Sequence, residues 1–227
     1  SIVGVQMERL QINAELQFDE QRHSSVTRFA EIAGQNAIIQ LESTVYIDKA
    51  NIKGKARVYV GLELGYQLEK YRGDRKNMTV IQNVMKNANQ GFIMTGRAIG
   101  CREGGCTVFD ETAFEEEAAE ESRFIETRGK PHTVSLRWDD EFYRFVFSFD
   151  GMTSYIDMVT FASKYDFNPK DFSYARLFVT VENINNDHDE GRVVARFGNV
   201  NVNGNLYDDF AAEALNPEKW ATGQTYR

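Results

Sequence analysis

Apolar residues recur at every second position along much of this chain. Leu10, Ile12, Ala14, Leu16 and Phe18 alternate with mostly polar neighbours. The pattern returns at Ile39, Leu41, Val45 and Ile47, and again at Val58, Val60, Leu62 and Leu64. Successive side chains of an extended strand point to opposite faces, so this period predicts sheets with one buried face. The fold class it implies is all-β, a two-sheet antiparallel sandwich with little helix.

The clearest hairpin runs from His132 to Phe149. Val134, Leu136 and Trp138 share one face, Asp139-Asp140-Glu141 makes the turn, and Tyr143, Phe145, Phe147 and Phe149 share a face on the return. Further strands are expected at Tyr174–Val181, with Leu177, Val179 and Val181 inward, and at Arg192–Val202. In the latter the apolar parity changes between Phe197 and Val200, which predicts a bulge at Gly198-Asn199. Residues 1–34 and 37–65 look loosely alike, as long hairpins in series would. Gly96, Gly100, Gly104 and Gly105 read as hairpin glycines. The acidic run Glu115–Glu121 favours a solvated loop through like-charge repulsion. Met152–Phe172 lacks periodicity and reads as a long connection with one turn of helix.

A chain of 227 residues with 42% hydrophobic content can bury one sizeable core. The net charge of −8 argues against nucleic acid and against an anionic membrane surface, since both need concentrated Lys and Arg. No apolar run approaches the roughly 18 residues of a membrane-spanning helix. The first residue is Ser1 rather than Met, which reads as a trimmed or mature fragment.

The two cysteines stand at Cys101 and Cys106. Gly104-Gly105 lets the chain turn back, bringing the two Cα atoms toward the ~5.5 Å a disulfide needs. The expected reading is a disulfide; the alternative is two unpaired thiols. A disulfide implies an extracellular, periplasmic or cell-envelope location. Zinc is disfavoured, because it takes four ligands and no His or further Cys is near.

Several stretches carry a family resemblance. Lys55-Ala56-Arg57-Val58-Tyr59-Val60, His132-Thr133-Val134-Ser135-Leu136-Arg137-Trp138-Asp139 and Ala195-Arg196-Phe197-Gly198-Asn199-Val200-Asn201-Val202-Asn203-Gly204 resemble strands of the concanavalin A-like lectin/glucanase superfamily. The Cys101–Cys106 loop sits where some relatives carry a similar short loop. The resemblance spans about residues 37–204 and implies a jelly-roll fold for residues 1–204. Gly198 stands where the pattern has Asp, which leaves that residue's role unfilled. In the tail, residues 205–227, Leu206-Tyr207-Asp208-Asp209-Phe210 and Leu215-Asn216-Pro217-Glu218-Lys219-Trp220 resemble the opening of a further module of this type. The other reading docks Phe210 and Trp220 on the chain's own sandwich.

The glucanase branch of that superfamily uses two carboxylates on one strand, in an E-x-D-x-x-E or E-x-D-x-E pattern. Alternation places them on one face, ~5 Å apart for retaining chemistry. No strand of this sequence carries the pattern; Glu63 and Glu69 are too widely spaced and lack a central Asp. His23, His132 and His188 occur without a Gly-x-Ser-x-Gly elbow. No catalytic residue is assigned.

The loop Asn183–Gly191 gathers oxygen ligands, so Asn185, Asp187 and Asp189 are candidates for a structural calcium ion, set against an ordinary solvated turn. For a polysaccharide or glycan, the candidates are Arg57 and Tyr59 on one strand, with Gln82 and Arg97 on neighbouring strands. Arg suits bidentate contact with a carboxylate, so an acidic sugar fits. Trp138 shares parity with Leu136 and reads as core. Three functions follow: a non-catalytic carbohydrate-binding module of a secreted or envelope protein, a structural or adhesion module packed against neighbouring domains, and a polysaccharide lyase or hydrolase with an unrecognised site.

Overall fold

The computed structural model describes residues 3–16, 24–66, 77–87, 92–102, 105–113, 129–159, 169–183 and 189–227. Two antiparallel sheets face each other. The first has the order β1 (Val3–Val5), β2 (Leu10–Leu16), β13 (Glu190–Val202), β4 (Gln40–Lys53), β9 (His132–Asp139), β10 (Arg144–Phe149) and β11 (Met152–Asp157), with β14 (Asn205–Asp208) against β13. The second has the order β15 (Trp220–Tyr226), β3 (Ser25–Ile32), β12 (Tyr174–Glu182), β5 (Arg57–Tyr66), β6 (Asn77–Asn87), β7 (Phe92–Arg102) and β8 (Gly105–Ala113). Neighbours in a sheet come from distant parts of the chain, as in a jelly-roll sandwich. Helix is confined, among the described residues, to little more than one 3-10 turn at Pro169–Asp171.

The alternation in the sequence becomes the core. Leu10, Ile12, Ala14 and Leu16 on β2 and Leu62 and Leu64 on β5 are fully buried, as are Phe145, Phe147, Phe172 and Phe197. Burying such side chains stabilises by about 1.5–3 kcal/mol each before the cost of ordering them. Trp138 is buried too, edge-on to Tyr143 and Phe145 at centroid distances of 4.8 and 4.9 Å.

Tight turns set the register. Asn203-Gly204 between β13 and β14 has φ of 50° and 80°, the left-handed pair of a type I′ hairpin. The Asn203 side chain also accepts from Ile39 and Gln40 N–H at 2.9 and 3.1 Å, tying this turn to the start of β4. The expected bulge is present: the β13–β4 register shifts between Gly198 and Asn201.

Two expectations change. The connection drawn over residues 152–172 begins with a strand, β11, paired to β10 through an Asp150-Gly151 turn with φ of 48° and 85°. Asp-Gly between two strands is a strong I′ signal, and here it decides the structure. Gly96 and Gly100 lie inside β7 rather than in a hairpin. Phe18, His23, Glu69, the run Glu115–Glu121 and His188 lie outside the described residues.

The tail joins the sandwich. β15 pairs with β3 from Trp220↔Ile32 to Tyr226↔Val26. Phe210 and Trp220 are 2% and 3% exposed and belong to the core cluster.

Candidate functional site

The inward residues of β5 are Val58, Val60, Leu62 and Leu64, so Arg57, Tyr59, Gly61 and Glu63 point to the outer face of the second sheet. Register carries this face across the sheet. Tyr59 is level with Thr180 on β12 and Met85 on β6, and Glu63 with Arg176 and Ile81.

Arg57 and Tyr59 come together as expected, with a partner that no local pattern announced. The Tyr59 hydroxyl donates to Glu182 Oε2 at 2.7 Å. Burial and then Glu182 push the Tyr59 phenol up to about 12, opposed by the Arg57 guanidinium, which also reaches the hydroxyl. Arg57 Nε is buried without a hydrogen-bond partner. The Nε atoms of Arg28 and Arg192 are in the same state, so this does not set Arg57 apart.

Arg97 on β7 shares this outer face, level with Ile81. Gln82 does not. It pairs with Leu62, an inward residue, is 1% exposed, and donates from Nε2 to the Ser148 carbonyl of the opposite sheet at 2.6 Å. Its role is to bridge the sheets through the core.

The centre of the face holds a second cluster. Glu31, Arg176, Glu63, Ile81 and Arg97 are successive register partners across β3, β12, β5, β6 and β7. Arg176 Nε donates to Glu31 Oε1 at 2.7 Å, and its Nη1 lies 3.7 Å from Glu63 Oε1. The guanidinium stacks on Phe29 and Tyr174, 4.3 and 4.8 Å from the ring centroids. The Tyr174 hydroxyl donates to Glu63 Oε1 at 3.0 Å and shares a 2.8 Å hydrogen bond with the Thr79 hydroxyl. Burial holds the Glu63 carboxyl above its ordinary range, although Arg176 and Tyr174 pull it down. The Tyr174 phenol is raised by burial and by the Glu63 charge.

These carboxylates arise from different strands. Among the described residues of β3, β12, β5, β6 and β7, no strand presents two on its outer face. Glu31 and Glu63 share Arg176, which neutralises the first and positions the second. Bidentate or shared guanidinium pairing of this kind builds a rigid polar surface.

The calcium candidates divide. Asn185 and Asp187 lie outside the described residues. Asp189 is 4% exposed, and its Oδ1 accepts the Lys55 backbone N–H at 2.8 Å, so it holds the chain entering β5. Among the described residues no cluster of three or more His, Cys, Asp or Glu is placed to hold a metal ion. Cys101 and Cys106 are direct register partners on β7 and β8.

No family model and no curated protein matches this chain. Among solved structures it is similar to the kappa-carrageenase of Pseudoalteromonas carrageenovora, at 9% identity over 86% of this chain and 82% of that one, with a TM-score of 0.43. It is similar to the laminarinase catalytic domain of Thermotoga maritima, at 11% identity over 87% and 80%, with a TM-score of 0.47. It is also similar to the Crh5 transglycosylase, at 12% identity over 94% and 78%, with a TM-score of 0.48. These are likenesses of chain course.

Proposed function

We propose that this chain is a non-catalytic carbohydrate-binding module, acting outside the cell or in the cell envelope through the outer face of its second sheet. The observation that carries this reading is the Arg57–Tyr59–Glu182 cluster. It is a set of planar donors and acceptors on one face, linked by hydrogen bonds. Sugar hydroxyls both donate and accept, so they match such a mixed surface. Arg57 additionally suits the carboxylate of an acidic sugar.

The test is a glycan array probed with the domain, with and without calcium, alongside Arg57→Ala combined with Tyr59→Phe. The wild type is expected to be retained on a defined subset of glycans, and the double variant to lose that retention while unfolding at nearly the same temperature. Equal retention of the two proteins, or no retention of the wild type, contradicts the proposal. A calcium requirement for retention would point to the Asn185–Asp187–Asp189 loop as a metal site.

A structural or adhesion role has one observation in its favour. The Glu31–Arg176–Glu63 pairing fills the middle of the same face with internally satisfied charge. On that reading the array stays blank and the face packs against a neighbouring domain.

A further inference from the structure

We infer a second ligand site on the opposite side of the molecule, for a single neutral, hydroxyl-rich unit such as a hexose. A cavity of about 310 Å³ opens on the outer face of the first sheet. Small-molecule sites start at roughly this size. It is lined by the β1–β2 turn with Glu8 and Arg9, by Thr44 and Tyr46 of β4, by the bulge of β13 at Gly198-Asn199, and by Asp209 of the tail.

The chemistry of the walls is mixed. The Arg9 guanidinium lies 4.0 Å over the Tyr46 ring, which fixes its plane. No carboxylate or carbonyl among the described residues takes its N–H groups. Glu8 and Asn199 are exposed on the same walls and supply acceptors and an amide, and Thr44 supplies a hydroxyl. A fixed guanidinium beside a carboxylate suits neighbouring sugar hydroxyls, one accepting and one donating. A simple anion would meet Arg9 but be repelled by Glu8 and Asp209, and a simple cation would meet those carboxylates but be repelled by Arg9.

The backbone is shaped around this space. Gln6 and Arg9 exchange backbone hydrogen bonds at 2.8 and 3.2 Å across a two-residue turn. That turn places Met7 and Glu8 at φ of 49° and 55°, and Asn199 across the cavity sits at 48°. Left-handed conformations cost non-glycine residues energy, and such strain gathers at functional positions. Gly198 forms part of the wall. A β-carbon there would meet Arg9 Cγ at 3.6 Å, an ordinary contact, so a short side chain fits and a longer one occupies the cavity.

The proposal stands independently of sugar binding at Arg57 and Tyr59, and amide-resolved NMR separates the two. Isotope-labelled protein is titrated with glucose, galactose and mannose, and separately with sodium sulfate and calcium chloride. At least one hexose is expected to shift the amides of Thr44, Gly198 and Asn199 while leaving those of Arg57 and Tyr59 in place. Gly198→Leu is expected to abolish these shifts, and Gly198→Ala to keep them. Shifts at the cavity with sulfate or calcium but with no hexose overturn the proposal, as do hexose shifts that persist in Gly198→Leu. If Gly198→Leu fails to fold, Arg9→Met takes its place, with the same loss expected and persistence overturning it.

Discussion

The ring of Phe147 lies directly over Gly96: a β-carbon on Gly96 would sit 2.6 Å from Phe147 Cδ2 and Cγ. The two residues come from opposite sheets, Gly96 on β7 and Phe147 on β10. The missing side chain is what lets the sheets close over an aromatic core at this point. Gly96→Ala is therefore expected to destabilise by about 1–3 kcal/mol through overpacking. A urea midpoint no lower than that of the wild type contradicts this contact.

The carboxyl of Glu63 predicts a pH dependence. Burial raises its folded value above the unfolded one near 4.5. The folded state then binds the proton more tightly than the unfolded state. Its contribution to stability is fully present below the unfolded value and is lost as pH rises through the folded value. Glu63→Gln keeps the acceptor for Tyr174 and removes the titration. The fall in urea midpoint between about pH 5 and about pH 8 should be smaller in the variant than in the wild type. Identical slopes would show that Glu63 ionises as freely in the fold as in water.

Both clusters on the second sheet show what the sequence makes legible. Leu10–Leu16, Val58–Leu64 and His132–Phe149 advertise their strands because every inward position is apolar and most outward ones are polar. β6 and β7 break that rule. Ile81, Met85, Ile93 and Ile99 stand on the outer parity while Gln82 and Gly96 stand on the inner one, so the period-two signal cancels. Gln82 was therefore expected on the outer face, and the register reverses it. Arg57 and Tyr59 were readable from one strand. Glu182 was not, because it lies 123 positions from Tyr59. The Arg176–Glu31 contact spans 145 positions, and only strand order brings such residues together.

The register partners Cys101 and Cys106 predict a disulfide. Directly opposed antiparallel residues have Cα atoms about 4.5–5.5 Å apart, inside the range that a disulfide accepts. Alkylation of the unfolded, unreduced protein is expected to modify no thiol, and alkylation after reduction to modify both. Two thiols modified without reduction would contradict it. Closing so short a loop contributes about 2 kcal/mol, so the reduced protein should remain folded.

Trp220 tests how firmly the tail belongs to the sandwich. It is 3% exposed, its indole donates to Asp208 Oδ2 at 2.8 Å, and it packs edge-on to Tyr207 at 5.4 Å. Trp220→Ala should cost about 3–5 kcal/mol. A cost under about 1 kcal/mol would mean that residues 205–227 contribute little to this domain.

NMR mapping of the oligosaccharide best retained on the array tests the outer face of the second sheet as the binding surface. Shifts are expected to concentrate on the amides of Arg57, Tyr59 and Glu182 and their neighbours on β5 and β12. Saturable binding with those amides unmoved would contradict the assignment of the site.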